Sequence, residues 1–359
     1  MDNNLISLIK NFQIAGDIQT ISAFGKGHIN TTYKVITDKN QYILQEINTN
    51  AFKNVDVLMN NINVVTSFIR SKGEHSLEFI PGIDGRLYVC FENRYYRVYK
   101  FIDHVSCFET VGDDLSLVAK LGEAFGKFHL LLSDLNPTLV KDTIIDFHNT
   151  PKRFLNFSSA YVASSIEKRN KAKKEINYIL NHNKTYSEIV DGLKRKQIKE
   201  HITHNDPKIN NILFKENTNE VLCVIDLDTV MPGSVLYDIG DAFRSLFTGE
   251  NEDNEDLSLQ KVKPDIFRAY MKAYLSQMKD VLTKKEIELI PYSIYLMTIE
   301  CGMRFLEDYL RGNVYFHVDY EEHNLIRSRT QIALAEDVLK NSNLLNSIIE
   351  EIMEELKHE

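Results

Sequence analysis

Asp206, Asn211 five positions later, and Asp226 closing an apolar run are the residues whose types and spacing suit chemistry. All three lie in residues 203–228, THNDPKINNILFKENTNEVLCVIDLD. Phosphoryl transfer asks little covalent work of a protein: the acceptor hydroxyl must be oriented, its proton accepted and the phosphate charge neutralised. A carboxylate on a rigid loop, Asp206, does the first two. The amide oxygen of Asn211 and the carboxylate of Asp226 are hard donors suited to magnesium. A base and an asparagine five apart on a loop, then an aspartate at a strand end, is the arrangement that reaction uses. The competing reading makes Asp206 and Asn211 ordinary turn or cap residues. Asp228 adds a carboxylate in IDLD. If the strand continues it shares a face with Asp226 and suits a second metal; the alternative is an ion pair to an arginine such as Arg244.

Such a site needs a phosphate-facing loop and elements to frame it. Gly25-x-Gly27 precedes two strand-like runs, 31–37 and 41–47, joined at Asp38-Lys39-Asn40, a hairpin signal. Glycines there let backbone amides approach phosphate oxygens. Residues 5–14 read as a helix closed by Gly16, and 54–70 as an amphipathic helix ending near Gly73. LYVCF and YYRVYKFI read as two further strands. The chain to residue 102 is therefore a small antiparallel sheet carrying a helix.

Beyond Asp103 the pattern is helical. Residues 113–132 set Leu115, Val118, Leu121, Phe125, Phe128 and Leu132 on one face, with His129 as a core or boundary histidine. The basic run 166–174 reads as a solvated helix face, since no aromatics interleave it as RNA binding would want. The acidic run 250–256 reads as a mobile surface loop. Segments 264–281, 286–310 and 328–357 read as helices, and YDIGDAFRS as a helix capped by Asp238 or Asp241. The fold class is α+β, with 1–102 and 103–359 as its two parts.

Composition sets the outer bounds. The 359 residues are 43% hydrophobic and 26% charged, ordinary for a soluble globular protein. A net charge of −9 argues against a dominant nucleic-acid footprint. Cys90, Cys107, Cys223 and Cys301 have no CxxC spacing and read as reduced, mostly buried thiols. No secretory signal and no membrane-length apolar run is present, so the expectation is a cytoplasmic, monomeric protein binding neither membrane nor nucleic acid.

The motifs HNDPKINNILF and VIDLDTVMPG resemble those of the aminoglycoside phosphotransferase-like kinases, which share a two-lobed protein-kinase-like fold. With FGKGHINTTYKV, YILQEIN, YYRVYKFIDH, ECGMRFLEDYL and EHNLIRSRTQI, the resemblance covers nearly the whole chain. Within that family it is closer still to the N-acetylhexosamine 1-kinases, which use ATP and magnesium on the anomeric hydroxyl of a sugar. The resemblance implies a small antiparallel-sheet N-lobe and a larger, mainly helical C-lobe. It implies Asp206 as catalytic base, Asn211 and Asp226 as magnesium ligands, and Tyr99, Lys100, Phe101 and Ile102 as the hinge meeting adenine. Gly25, Gly27 and Gln45 fall in the nucleotide site, and His28, Arg304 and Tyr315 become sugar contacts. Gln45 stands where kinases at large place a phosphate-pairing lysine, which removes a charge and leaves a non-catalytic nucleotide-binding reading as the alternative. Another acceptor, such as a different sugar, choline or an aminoglycoside, is the other.

Overall fold

The computed structural model describes residues 3–25, 31–249 and 252–358. Its first part comprises α1 (Asn3–Ile9), β1 (Ile18–Ala23), β2 (Thr32–Thr37), β3 (Gln41–Ile47), α2 (Val55–Ser71), β4 (Phe79–Ile80), β5 (Val89–Phe91) and β6 (Arg94–Lys100). The strands form one antiparallel sheet in the order β1-β2-β3-β6-β4, with β5 also on β6. The hairpin forms where expected: the Thr37 hydroxyl accepts from the Asn40 amide at 2.9 Å. Strand β1 is an addition; its short IQTISA run leaves most side chains exposed, so it lacks a strong apolar signature. Helix α1 stops at Ile9, earlier than expected, and Gly16 serves instead as a turn into β1. At φ +90 it sits so close to Asp38 that a Cβ would fall 2.2 Å from the carboxylate.

Two cores result. Leu8, Ile9 and Phe12 cover Val35, Leu44, Tyr96 and Val98 on one face of the sheet. Helix α2, capped by Asn54 accepting from the Val57 amide, turns Leu58, Met59, Ile62, Val65 and Ile69 into the much larger core of the second part.

That part contains β7 (Val105–Ser106), α3 (Leu115–Leu132), α4 (Thr150–Ala163), α5 (Ile166–Lys171), α6 (Lys173–Asn181), α7 (Glu188–Lys194), β8 (His201–Thr203), β9 (Ile212–Lys215), β10 (Val221–Val224) and β11 (Met231–Gly233). Then follow α8 (Val235–Thr248), α9 (Pro264–Met278), α10 (Lys284–Glu288), α11 (Ile290–Arg311), α12 (His323–Lys340) and α13 (Ser342–Glu355). The architecture is a mixed fold, an antiparallel-sheet N-terminal part on a helical C-terminal part, as the sequence implies. Val118, Leu121, Phe125, Phe128 and Leu132 are buried as the periodicity requires, but Leu115, at the first turn, is 43% exposed. Helices α3 and α9 cross closely at Gly122, where a Cβ would lie 2.3 Å from the Tyr270 carbonyl oxygen.

Three expectations change. The last helical segment is two helices, α12 beginning at His323 and breaking at Asn341 before α13. In the acidic run Glu252 is held by Arg244 at 3.0 Å, where a loose loop was expected; Glu250 and Asn251 lie outside the described residues. Cys90 and Cys107 are exposed; Cys223 is buried and Cys301 partly so, all four being free. Among the described residues no helix is long and apolar enough to cross a membrane.

Candidate active site

The site is assembled by two turns that follow paired strands. Strand β8 pairs with β11, and β9 with β10. The chain leaving β8 reverses at Asn205, φ +64, and presents Asp206; asparagine tolerates the left-handed region better than most residues. A single 3-10 turn, Ile209–Asn211, then sets Asn211 against it. The Asn211 side-chain amide donates to the Asp206 carbonyl at 2.8 Å and to its Oδ2 at 3.0 Å, leaving the Asn211 amide oxygen without a partner among the described residues. Lys208 Nζ lies 2.8 Å from Asp206 Oδ1. Lys208 was missed by motif reading, although its place two residues after the candidate base was a usable signal.

The second turn does not continue the strand as expected. Strand β10 ends at Val224; the Ile225 amide donates to the Asn211 carbonyl at 2.8 Å, and Asp226 takes the left-handed conformation, φ 57 and ψ 58. A 3-10 turn, Leu227–Thr229, follows. Asp226 and Asp228 are therefore not alternate residues of one strand. Asp226 is exposed, while Asp228 is 4% exposed and pairs with Arg97 Nη1 at 2.5 Å. Its arginine is thus Arg97 from β6, not Arg244, which is held by Asp241 at 2.6 Å and by Glu252.

His204 and Asp238 lock these turns together. His204 Nδ1 accepts from the Asp206 amide at 3.2 Å, so the ring carries its proton on Nε2 and donates to the Ile225 carbonyl at 2.9 Å. Asp238, fully buried on α8, accepts from the His204 amide at 2.7 Å, the Asn205 amide at 2.6 Å and His129 Nε2 at 2.8 Å. It does not cap α8; Ser234 does, accepting from the Leu236 amide. His129, read as a core histidine, is one: buried, it also bonds Tyr274 at 2.9 Å.

The electrostatics follow from this packing. Burial opposes the charge on Asp238, but the His129 and backbone hydrogen bonds outweigh it and hold its carboxyl below the usual range. Burial pushes His129 down, so it stays neutral near pH 7. Asp226 moves the other way, up to about 6: the flanking protein desolvates it, and the Asp228 and Asp206 charges add to that. The Arg97 guanidinium pulls it back only in part. A divalent cation would relieve this crowding, and the free Asn211 oxygen with the open Asp226 carboxylate makes a hard-donor pair for one. Magnesium, which keeps several waters and phosphate ligands, asks no more of a protein.

Around the predicted nucleotide site, Gly25 follows β1 at φ +75 with open space where a Cβ would be; Gly27 and His28 lie outside the described residues. Phe24 beside Gly25 meets the Phe101 ring edge-on, centroids 5.7 Å apart, so the end of β1 lies against the hinge segment. In the hinge the Lys100 amide donates to Glu78 and the Phe101 amide to Gln41, which leaves the Ile102 amide without an acceptor among the described residues. Tyr99 turns its phenol inward; burial first, and the Asp226 and Asp228 charges after it, push its pKa up to about 12. Gln45 on β3 accepts from Arg97 Nε at 2.9 Å and Nη2 at 2.7 Å.

Arg304 on α11 and Tyr315 after it share one wall. The Arg304 guanidinium lies 5.6 Å over Phe316 and 6.0 Å over Phe147, and the Tyr315 ring meets Phe316 edge-on at 4.8 Å. Asp308 fixes the connecting turn by accepting from the amides of Val314, Tyr315 and Phe316. Tyr315 is 74% exposed, and among the described residues no direct contact joins this wall to Asp206.

The fold is similar to an aminoglycoside phosphotransferase from Alicyclobacillus acidocaldarius, with TM-score 0.61 and 12% identity over 99% of this chain and 96% of that one. It is also similar to choline kinase from Cryptosporidium parvum, with TM-score 0.60 and 16% identity over 96% and 98%. A spectinomycin phosphotransferase in complex with ADP and spectinomycin matches with TM-score 0.53 and 13% identity over 93% and 96%. The sequence profile of the phosphotransferase enzyme family matches residues 20–274, a stretch that runs from within β1 through the Asp206 and Asp226 turns. The chain belongs to the phosphotransferase enzyme family.

Proposed function

We propose that this protein is an ATP- and magnesium-dependent kinase that phosphorylates the anomeric C1 hydroxyl of an N-acetylhexosamine, such as N-acetylglucosamine or N-acetylgalactosamine. The kinase part of the reading is supported by the family, by a related fold holding ADP, and by Asp206, Asn211 and Asp226 converging on one cleft. Adenine would lie against the hinge with the Ile102 amide as donor, and Gly25, Gly27 and Lys208 would serve the phosphates. Asn211 and Asp226 would hold magnesium, which when bound neutralises charge on the transferring group. Asp206 orients the C1 hydroxyl and takes its proton as the sugar oxygen bonds to the γ-phosphorus and the bond to the ADP oxygen breaks. The proton then passes from Asp206 to solvent.

The acceptor class rests on the resemblance and on one observation. Arg304 has no carboxylate partner among the described residues and is held only by aromatic faces. The acidic groups nearby are already committed: Glu300 to His148 and Thr150, Asp308 to three amides, and Asp241 to Arg244. A wall with a bare guanidinium and aromatic rings suits a neutral, hydroxyl-rich pyranose. The positive charge of Arg304, already lying over those rings, disfavours a cationic acceptor such as choline or an aminoglycoside, which would need carboxylates or aromatic faces not occupied by another cation. His28, Arg304 and Tyr315 would supply the sugar contacts.

The test at the base is Asp206→Asn. The expected result is a kcat lower by about 10²–10⁴-fold with ATP binding retained, the usual worth of a general base. Turnover like that of the unaltered protein removes Asp206 from this role.

A further inference from the structure

Gln45 and Arg97 are direct cross-strand partners in the β3–β6 register, so their side chains share a face of the sheet. Three of the five Arg97 N–H donors are engaged: two converge on Gln45 Oε1 and one reaches Asp228 Oδ1. The Arg97 and Asp228 side chains are 4% and 5% exposed. The pair joins the N-terminal sheet to the turn that carries Asp226, across 131 positions of chain. A buried ion pair contributes little net stability compared with apolar packing, so stability alone is a weak reason for this one. It also sits where a charge is missing, because Gln45 occupies the strand position that in kinases holds the phosphate-pairing lysine.

We propose that Arg97 is a positioning residue of the metal–nucleotide site. It supplies from β6 the cation that β3 lacks, clamping Gln45 and Asp228 so that the Asp226 turn is held ready for magnesium and the phosphates. Being almost fully buried, it acts through these two partners and not by touching the nucleotide. The inference rests on the ATP-and-magnesium reading above. Partners that orient metal-ligating groups typically contribute about 10–100-fold to metal affinity or activity, which sets the expected effect.

The test is calorimetric titration of ADP, with magnesium and with EDTA, into the full-length protein without sugar, alongside thermal melting of each variant. Arg97→Met is expected to weaken ADP binding in magnesium by about 10–100-fold and to leave binding in EDTA close to that of the unaltered protein. Gln45→Lys with Arg97→Met returns the cation to β3 and is expected to recover most of the lost affinity. Undiminished binding of ADP in magnesium by Arg97→Met overturns the proposal. So does a double variant that melts normally while its magnesium-dependent affinity stays lost, since Arg97 would then be a lobe tether only. If Arg97→Met does not fold, Arg97→Lys carries the test: retained charge predicts retained magnesium-dependent affinity, and a loss as large as about 100-fold in the folded variant overturns it. Failure of the unaltered protein to bind ADP with magnesium would instead sink the kinase reading itself.

Discussion

At the scale of single residues, the site is a balance of three carboxylates and the groups that hold them. Asp206 is tied on both oxygens, to Lys208 and Asn211; Asp228 is paired with Arg97; the Asp226 carboxyl is pushed up to about 6. Its sign gives a prediction. In the proposed site magnesium would bind the deprotonated Asp226 carboxylate and displace its proton, so the metal requirement should be nearly flat above pH 7 and rise as pH falls through about 6. For one proton the slope approaches about tenfold per pH unit. In the metal-free protein the same shift acts oppositely. Protonated Asp226 stabilises the fold most fully below the ordinary carboxyl range, and that contribution is lost as pH rises through about 6. Magnesium activation curves taken from pH 5 to 8 check this; a requirement independent of pH contradicts it. The spacing of Asp206, Asn211 and Asp226 was readable from sequence because all three lie in one short stretch. Arg97 was not, because its tie to Asp228 depends on the β3–β6 register and on how two distant segments meet. Asp238 was misread as a cap for a similar reason: nothing local in YDIGDAFRS shows that its carboxylate collects the amides of His204 and Asn205.

At the scale of elements, strands deliver and helices hold. The β8–β11 and β9–β10 pairs end in the two turns that carry Asp206 and Asp226; α8 anchors the first through Asp238, and His204 links the second to it. Behind α8 the packing is tight. His129 from α3 completes the Asp238 cluster and bonds Tyr274 of α9, so the α3–α9 crossing supports the catalytic loop at one remove. Gly122 sets that crossing. Gly122→Ala should destabilise the fold, since a Cβ 2.3 Å from the Tyr270 carbonyl oxygen must push the helices apart. Overpacking of this kind costs about 1–3 kcal/mol, seen as a lowered denaturant midpoint. A midpoint at or above that of the unaltered protein would mean the helices can separate freely. Most helices were legible from periodicity, and the hairpin from its turn residues. Strand β1 was not, its side chains being largely exposed, nor was the break at Asn341, where the chain pauses without proline or glycine.

At the scale of the whole molecule, a sheet with its own small core stands over a helical body, and α2 belongs to the body's core while lying within the sheet's sequence. Arg97–Asp228 and Asn61, which donates to the Val230 carbonyl at 3.1 Å, fasten the two parts around the cleft. The family and fold fix the class of chemistry; the acceptor is the claim that needs the experiment. The measurement is magnesium-dependent ADP release from ATP with N-acetylglucosamine, N-acetylgalactosamine, plain hexoses, choline, ethanolamine and aminoglycosides, together with the 1-O-methyl glycosides of the N-acetylated sugars. The account predicts release with the N-acetylhexosamines and none with their 1-O-methyl glycosides, whose anomeric hydroxyl is blocked. Release driven by choline or an aminoglycoside, undiminished release with the methyl glycosides, or no sugar-dependent release at all would contradict it.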